Sequence, residues 1–105
     1  MIRHGDVNLH EVKSAKGKVL EHNGSWILAR GEATGSIHTL IVDNPADLIV
    51  QQDEPGDMFY TLKADGHITH TSDHSTITAP MGIYRQVPER EIDWFADGTV
   101  RKVID

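Results

Sequence analysis

Residues 37–71 read IHTLIVDNPADLIVQQDEPGDMFYTLKADGHITHT, and this stretch decides the fold class. It contains four short segments rich in β-branched and aromatic residues, separated by Asn44-Pro45, by Glu54-Pro55-Gly56-Asp57 and by Asp65-Gly66. None of the segments has the 3.6-residue apolar period of an amphipathic helix, and the separating residues are typical of turns. The stretch therefore predicts consecutive strands. Asn44 followed by Pro45 is a helix-start signal, so at most one helical turn is expected there.

Two further turn signals predict hairpins outside this stretch. Asn23-Gly24 separates Lys18–His22 from Ser25–Arg30, and this dipeptide suits a type I′ turn because both central residues take positive φ. Residues 96–99 (ADGT) separate two short apolar segments in the same way near the C-terminal end. We therefore predict one hairpin at each of these places.

The pattern extends over the whole chain of 105 residues. Val7 and Leu9, for example, alternate with polar residues, as in a half-buried strand. Turn signals at regular spacing are typical of sandwiches and barrels, so we predict about 8–10 short strands. The predicted architecture is a single all-β domain over residues 1–105, either a small barrel or a two-sheet sandwich.

Composition excludes several function classes. The chain has no cysteine, which excludes disulfides, zinc–thiolate sites and thiol nucleophiles. Sixteen acidic and ten basic side chains give a net charge of −6, which argues against a nucleic-acid partner. No apolar run approaches the ~20 residues of a membrane helix, and no secretory signal is evident, so we expect no membrane partner and a cytoplasmic or virion-associated location.

The acidic charge is concentrated in residues 43–75, which hold seven acidic side chains and one lysine. Such a band is either a solvated surface or a face complementary to a basic partner. In the second case the protein is a small regulatory binding domain, and Asp53, Glu54 and Asp57 belong to its contact surface.

Histidine is the most prominent candidate for chemistry, with seven residues in the chain. His67 and His70 have opposite parity, so a regular strand directs them to opposite faces. A metal site therefore needs residues that the fold brings together, and we take Glu32, His38, His70 and His74 as its candidate ligands. These donors suit one divalent transition metal such as Zn²⁺, Fe²⁺ or Mn²⁺. The alternative is that the histidines make ordinary hydrogen bonds.

Motifs for catalysis are incomplete. Cupin enzymes need G-x5-H-x-H, whereas Gly31 and His38 are one residue too far apart and residue 40 is leucine. Their second motif, P-x-G-x-x-H, begins at Pro80 but has Arg85 in place of the histidine. The G-x-S-x-G elbow and the phosphate-binding glycine motifs are absent. The sequence thus favours a non-catalytic role, with a metal-binding cupin-like barrel, possibly an enzyme, as the alternative.

The segment GEATGS, residues 31–36, combines two glycines with two hydroxyl side chains. Loops of this composition carry function more often than the strands they connect. We predict a partner-binding loop formed by Gly31, Glu32, Thr34 and Gly35.

Three stretches together resemble a family of small, mostly uncharacterised β proteins encoded by bacteria and tailed phages. They are Arg3–Leu9 (RHGDVNL), Gly31–His38 (GEATGSIH) and Pro80–Val87 (PMGIYRQV) followed by Arg90–Asp93 (REID). The last resembles R-E-Y-D, with Ile92 in place of the tyrosine. The second resembles G-E-x-T-G-H-x-H, but Ser36 stands where the family has its first histidine. The departure leaves two interpretations open: a metal site that has lost one ligand, or a loop whose glycines serve its backbone conformation.

The incomplete catalytic motifs and the turn-rich, acidic, cysteine-free β composition favour a structural accessory protein rather than an enzyme, and the resemblance adds only that this protein is of a phage type. Our prediction is a phage-type capsid decoration (cement) protein without a cofactor, which docks on a larger protein assembly or forms a homo-oligomer. The metal-binding barrel and the small regulatory domain remain the alternatives.

Overall fold

The computed structural model of the protein describes residues 1–5, 7–30, 37–71, 76–87, 92–94 and 100–102. Within these residues the chain forms twelve β-strands and one 3-10 helix. The strands are β1 (Ile2–His4), β2 (Val7–Glu11), β3 (Lys18–Leu20), β4 (Ser25–Arg30), β5 (Ile37–Ile41), β6 (Leu48–Gln52), β7 (Met58–Leu62), β8 (Gly66–His70), β9 (Thr76–Ala79), β10 (Gly82–Gln86), β11 (Ile92–Trp94) and β12 (Val100–Lys102). The predicted all-β class is confirmed.

Two antiparallel sheets form the body of the fold. One has the order β1-β2-β10-β7-β6-β3, and the other has the order β4-β5-β8-β9. From β3 to β10 the chain forms four pairs of consecutive strands, and the two strands of each pair lie in different sheets. The pairs are β3 with β4, β5 with β6, β7 with β8 and β9 with β10. They lie side by side in sequence order in both sheets. The sheets remain open rather than closing into a barrel, so the sandwich alternative is the correct one.

The hairpin predicted at Asn23-Gly24 is wrong. β3 pairs with β6, whereas β4 pairs with β5, so the chain changes sheets at this point. Gly24 does have a positive φ of 102°. However, the N–H and the hydroxyl of Ser25 both donate to Asn23 Oδ1, and these hydrogen bonds stabilise the bend at which the chain passes from one sheet to the other. The turn signal is thus correct locally, but the burial of apolar faces decides which strands pair.

The hairpin predicted around residues 96–99 has the expected strands, since β11 and β12 are antiparallel partners. Its turn lies outside the described residues. The predicted helical turn is also confirmed as a 3-10 helix over Pro45–Asp47. Asn44 caps this helix, because its side chain accepts a hydrogen bond from the Ala46 N–H at 3.0 Å.

One hydrophobic core lies between the sheets. Val7 and Leu9 are each 1% exposed, as their alternation predicts, and Leu40 and Ile68 are completely buried on the opposite sheet. Burial of such side chains from both sheets is the main force that holds a sandwich together. The same alternation places His38 and His70 on the inner face of β5 and β8, at the end of the core.

Candidate functional site

Three histidines from three strands converge at one end of the core. This histidine cluster consists of His4 on β1, His38 on β5 and His70 on β8. His4 Nδ1 lies 2.8 Å from His38 Nδ1, and both residues are 7% exposed. The ring centroids of His38 and His70 are 4.4 Å apart, and those of His4 and His70 are 6.0 Å apart. The cluster is therefore a compact group of nitrogen donors largely shielded from water.

The strand register explains why these rings meet. His38 is the cross-strand partner of His70, two residues from the buried pair Leu40 and Ile68 on the same face. The turn after β1 then lies over His38, where Gly5 has a φ of 60°. A Cβ atom at Gly5 would lie 2.8 Å from His38 Cε1, so only glycine permits this close approach.

The predicted candidate ligands are thus only partly described. His38 and His70 do come together, whereas Glu32 and His74 lie outside the described residues, as do Gly31, Thr34 and Gly35 of the predicted loop. His67 is exposed on the opposite face of β8, as its parity predicts. His4 was not among the sequence candidates, because β1 itself was not predicted.

The fit of the cluster to a metal ion can be tested on its geometry. A separation of 2.8 Å suits a hydrogen bond in which one Nδ1–H donates to the other nitrogen. Two imidazoles on one tetrahedral Zn²⁺ have their nitrogens about 3.3 Å apart, so the rings must separate by roughly half an ångström. No group of three His, Cys, Asp or Glu among the described residues is arranged to hold a metal as it stands. The described part supplies a pair of donors, with the third close by.

A cavity of about 510 Å³ opens beside the cluster, between the two sheets. We refer to it as the inter-sheet cavity. His38 forms part of its wall, so the cavity and the histidine cluster are neighbours. Residues of β4 form much of the remaining wall, including Trp26, Ala29 and Arg30.

A chain of hydrogen bonds fixes one wall of this cavity. The Trp26 side chain hydrogen-bonds the Tyr60 hydroxyl, which in turn donates to Gln86 Oε1 at 2.6 Å. Gln86 Nε2 then donates to the Leu28 carbonyl at 2.9 Å. Leu28 lies where the register between β4 and β5 shifts, so its carbonyl finds a side-chain partner across the sandwich. Two sheets are thereby joined by a polar contact that no sequence motif indicates.

Alkaline pH provides a test of this wall. Burial raises the pKa of Tyr60 well above its ordinary value of 10, and the hydrogen bond with Trp26 offsets only part of this rise. Folded Tyr60 therefore stays protonated where the unfolded chain ionises, so stability should fall as pH rises above about 10. We expect Tyr60→Phe to reduce this fall, measured as the change in urea midpoint between about pH 8 and about pH 11. Equal changes for the variant and the wild type would contradict the prediction.

Part of the acidic band serves the fold itself. Asp57 is 5% exposed and forms an ion pair with Arg85, whose Nε lies 2.9 Å from Asp57 Oδ2. Asp53 Oδ1 accepts hydrogen bonds from the N–H groups of Gly56 and Asp57 and so closes the turn between β6 and β7. Of the three residues predicted to meet a basic partner, only Glu54 is an exposed residue. Arg85 stands where the second cupin motif has a metal-binding histidine, and its guanidinium is paired with Asp57.

Comparisons with known proteins place the chain without assigning an activity. Residues 3–88 match a family described as "Domain of unknown function (DUF8820)". Neither the search of curated proteins nor the search of solved structures gave a match. Among the described residues, no helix is long and apolar enough to cross a membrane.

Proposed function

The chain belongs to the DUF8820 family, and we propose that it is a binding module whose histidine cluster holds one divalent transition-metal ion. The observation that supports this most directly is the pair of facing Nδ1 atoms of His4 and His38 in a shielded site. Neutral imidazole nitrogen is a preferred ligand of Zn²⁺ and of its first-row neighbours.

The position of the cluster suggests what such an ion contributes. His4 belongs to the six-stranded sheet, whereas His38 and His70 belong to the four-stranded sheet. An ion bound by His4 and His38 would tie β1, an edge strand, to the opposite sheet. Because such a site is assembled only in the folded chain, the binding free energy adds to the stability of the fold. This role requires no catalytic step.

Three residues are candidates for completing the coordination. His70 is the nearest described ring, with its centroid 4.4 Å from that of His38. Glu32 and His74 remain predictions from the sequence. A site with two or three protein ligands and an open position also admits water or a small anion.

Native mass spectrometry of untagged protein, purified without chelator and then titrated with Zn²⁺, tests the proposal. We expect one ion per chain and at least about a tenfold loss of affinity in His4→Gln or His38→Gln. His67→Gln is the matched control, since it removes an exposed histidine from the outer face of β8. Its affinity should stay unchanged. Glu32→Gln and His74→Gln then identify the remaining ligands.

Two results would overturn the proposal. One is the absence of a bound ion in wild-type protein at a Zn²⁺ excess. The other is an equal loss of affinity in His67→Gln and in His38→Gln, which would indicate surface binding. Circular dichroism of each variant shows whether the fold is retained.

Docking on a larger assembly, as a capsid decoration protein does, is the second candidate. The observation that favours it is the exposed side formed by β3 and β4, which are consecutive in the chain and end the strand order of each sheet. Val19 on β3 is 62% exposed and Ile27 on β4 is 42% exposed. Edge strands with exposed apolar side chains pair readily with another chain. A decoration protein or a homo-oligomer would use this side.

The same mass spectra test docking. We expect an oligomer, or a monomer that sediments with empty shells of a tailed phage, and we expect Val19→Lys to reduce either form of association. A wild-type monomer that binds no shell, or association that Val19→Lys leaves intact, would count against docking through this edge.

A further inference from the structure

We propose that the inter-sheet cavity binds a small organic anion with an apolar body, whose carboxylate pairs with Arg30. This binding site adjoins the proposed metal site, with which it shares His38, and does not need a metal ion. It rests on the size of the cavity, the character of its walls and the charge at its mouth.

The size and the walls suit a small molecule. The cavity volume of about 510 Å³ falls within the range of small-molecule sites, roughly 300–1,000 Å³. The lining is divided about evenly between polar and apolar surface, and the apolar part can receive the body of a small molecule. The apolar members are Trp26, Ile27, Leu28, Ala29, Met58 and Val87. A flat aromatic group of one or two fused rings would contact the indole of Trp26 and the thioether of Met58.

The charge at the cavity differs from that of the chain as a whole. The protein carries sixteen acidic residues and a net charge of −6, yet none of the described residues that line the cavity is acidic. Arg30 is the one charged side chain in that lining apart from the titratable His38. No ion pair among the described residues involves Arg30. A guanidinium beside the apolar part of a cavity favours a carboxylate, which it binds through two parallel hydrogen bonds.

The polar wall is formed before any ligand binds. Tyr60 and Gln86 satisfy each other, and Gln86 also binds the Leu28 carbonyl. Because these groups are already hydrogen-bonded, an apolar surface can pack against them without leaving a polar atom unsatisfied. A preformed wall also lowers the entropic cost of binding. The charge of Arg30 therefore remains the main determinant of which small molecules are preferred.

The probes are 1-naphthoate and its neutral analogue 1-naphthamide, titrated into chelator-treated protein. Binding is followed by NMR through the indole N–H signal of Trp26, which a Trp94→Phe variant assigns because the chain has two tryptophans. We expect saturable shifts with 1-naphthoate and about tenfold weaker binding of 1-naphthamide. Chelator treatment makes the outcome independent of the proposed metal ion.

Paired variants locate the site. Arg30→Gln should weaken 1-naphthoate by about tenfold, whereas Lys63→Gln removes an equal charge away from the cavity and should have no effect. Ile27→Glu places a carboxylate in the lining and should weaken binding at least as much. Met81→Glu makes the same exchange at an exposed residue, 64% accessible, outside the lining. Its affinity should equal that of the wild type.

Three outcomes would overturn the inference: no saturable shift of Trp26, equal affinities for the two probes, or an unchanged affinity in Arg30→Gln. The dispersion of the NMR spectrum shows whether each variant is folded. If Ile27→Glu does not fold, the Arg30→Gln and Lys63→Gln pair still decides the result.

Discussion

Replacing Gly17 by alanine is expected to lower the free energy of unfolding by about 3 kcal/mol or more. Gly17 immediately precedes β3 and has a φ of 103°, a conformation that costs other residues about 1–3 kcal/mol. A Cβ atom there would also lie 2.3 Å from the carbonyl oxygen of Gln52 and 2.6 Å from the backbone nitrogen of Asp53. These are backbone atoms of β6 and its turn, so no side-chain rotation relieves the overlap. β3 must move away from its only described partner.

Gly56→Ala is the matched control for this prediction. Gly56 has the same φ of 103°, but the nearest atom to an added Cβ is the flexible Gln52 Nε2 at 3.9 Å. Its replacement therefore lowers the free energy of unfolding only by the cost of the backbone conformation, about 1–2 kcal/mol. Urea denaturation of the two variants measures the difference. Equal losses would show that the contact between Gly17 and the backbone of β6 does not limit the packing of β3.

Leu40→Ala is expected to destabilise the protein by about 3 kcal/mol, within the usual 2–5 kcal/mol for a buried leucine. Leu40 is completely buried, and its cross-strand partner Ile68 is completely buried as well. Truncation removes methyl groups that pack between the sheets, and neighbouring side chains collapse only partly into the space. The pair lies two residues inward from His38 and His70, so the variant also loosens the support of the histidine cluster.

Val19→Ala serves as the control, because Val19 is 62% exposed. Its loss should stay below about 0.5 kcal/mol. Both values come from urea denaturation followed by circular dichroism. If Leu40→Ala costs no more than Val19→Ala, the assignment of Leu40 to the centre of the core is wrong.

The proposed metal site and the proposed anion site both lie inside the region that defines the family. Residues 3–88 include His4, His38 and His70, and they include every described residue that lines the inter-sheet cavity. The two sites share His38 as a common wall. β11 and β12 lie outside the matched region, and neither proposal uses them.

The short-range features of the fold were accessible from the sequence. Alternating apolar residues, as in Val7 and Leu9, predicted strands because successive side chains in a strand point to opposite faces. Asn44-Pro45 predicted the helical turn, because a side-chain acceptor and a fixed φ act within three residues. Parity likewise predicted that His67 and His70 face opposite ways. The all-β class and the absence of thiol chemistry follow from such local or compositional facts.

Only the tertiary structure decided which strands are partners and which side chains meet. Asn23-Gly24 has the backbone of a turn, yet β3 and β4 enter different sheets, because pairing depends on burial over the whole chain rather than on the connecting residues. His4 and His38 are 34 residues apart, and their approach requires the register of β5 with β8 together with the turn at Gly5. The contact of Gln86 with the Leu28 carbonyl spans 58 residues. Contacts at such separations depend on packing between sheets, and no local pattern encodes that packing.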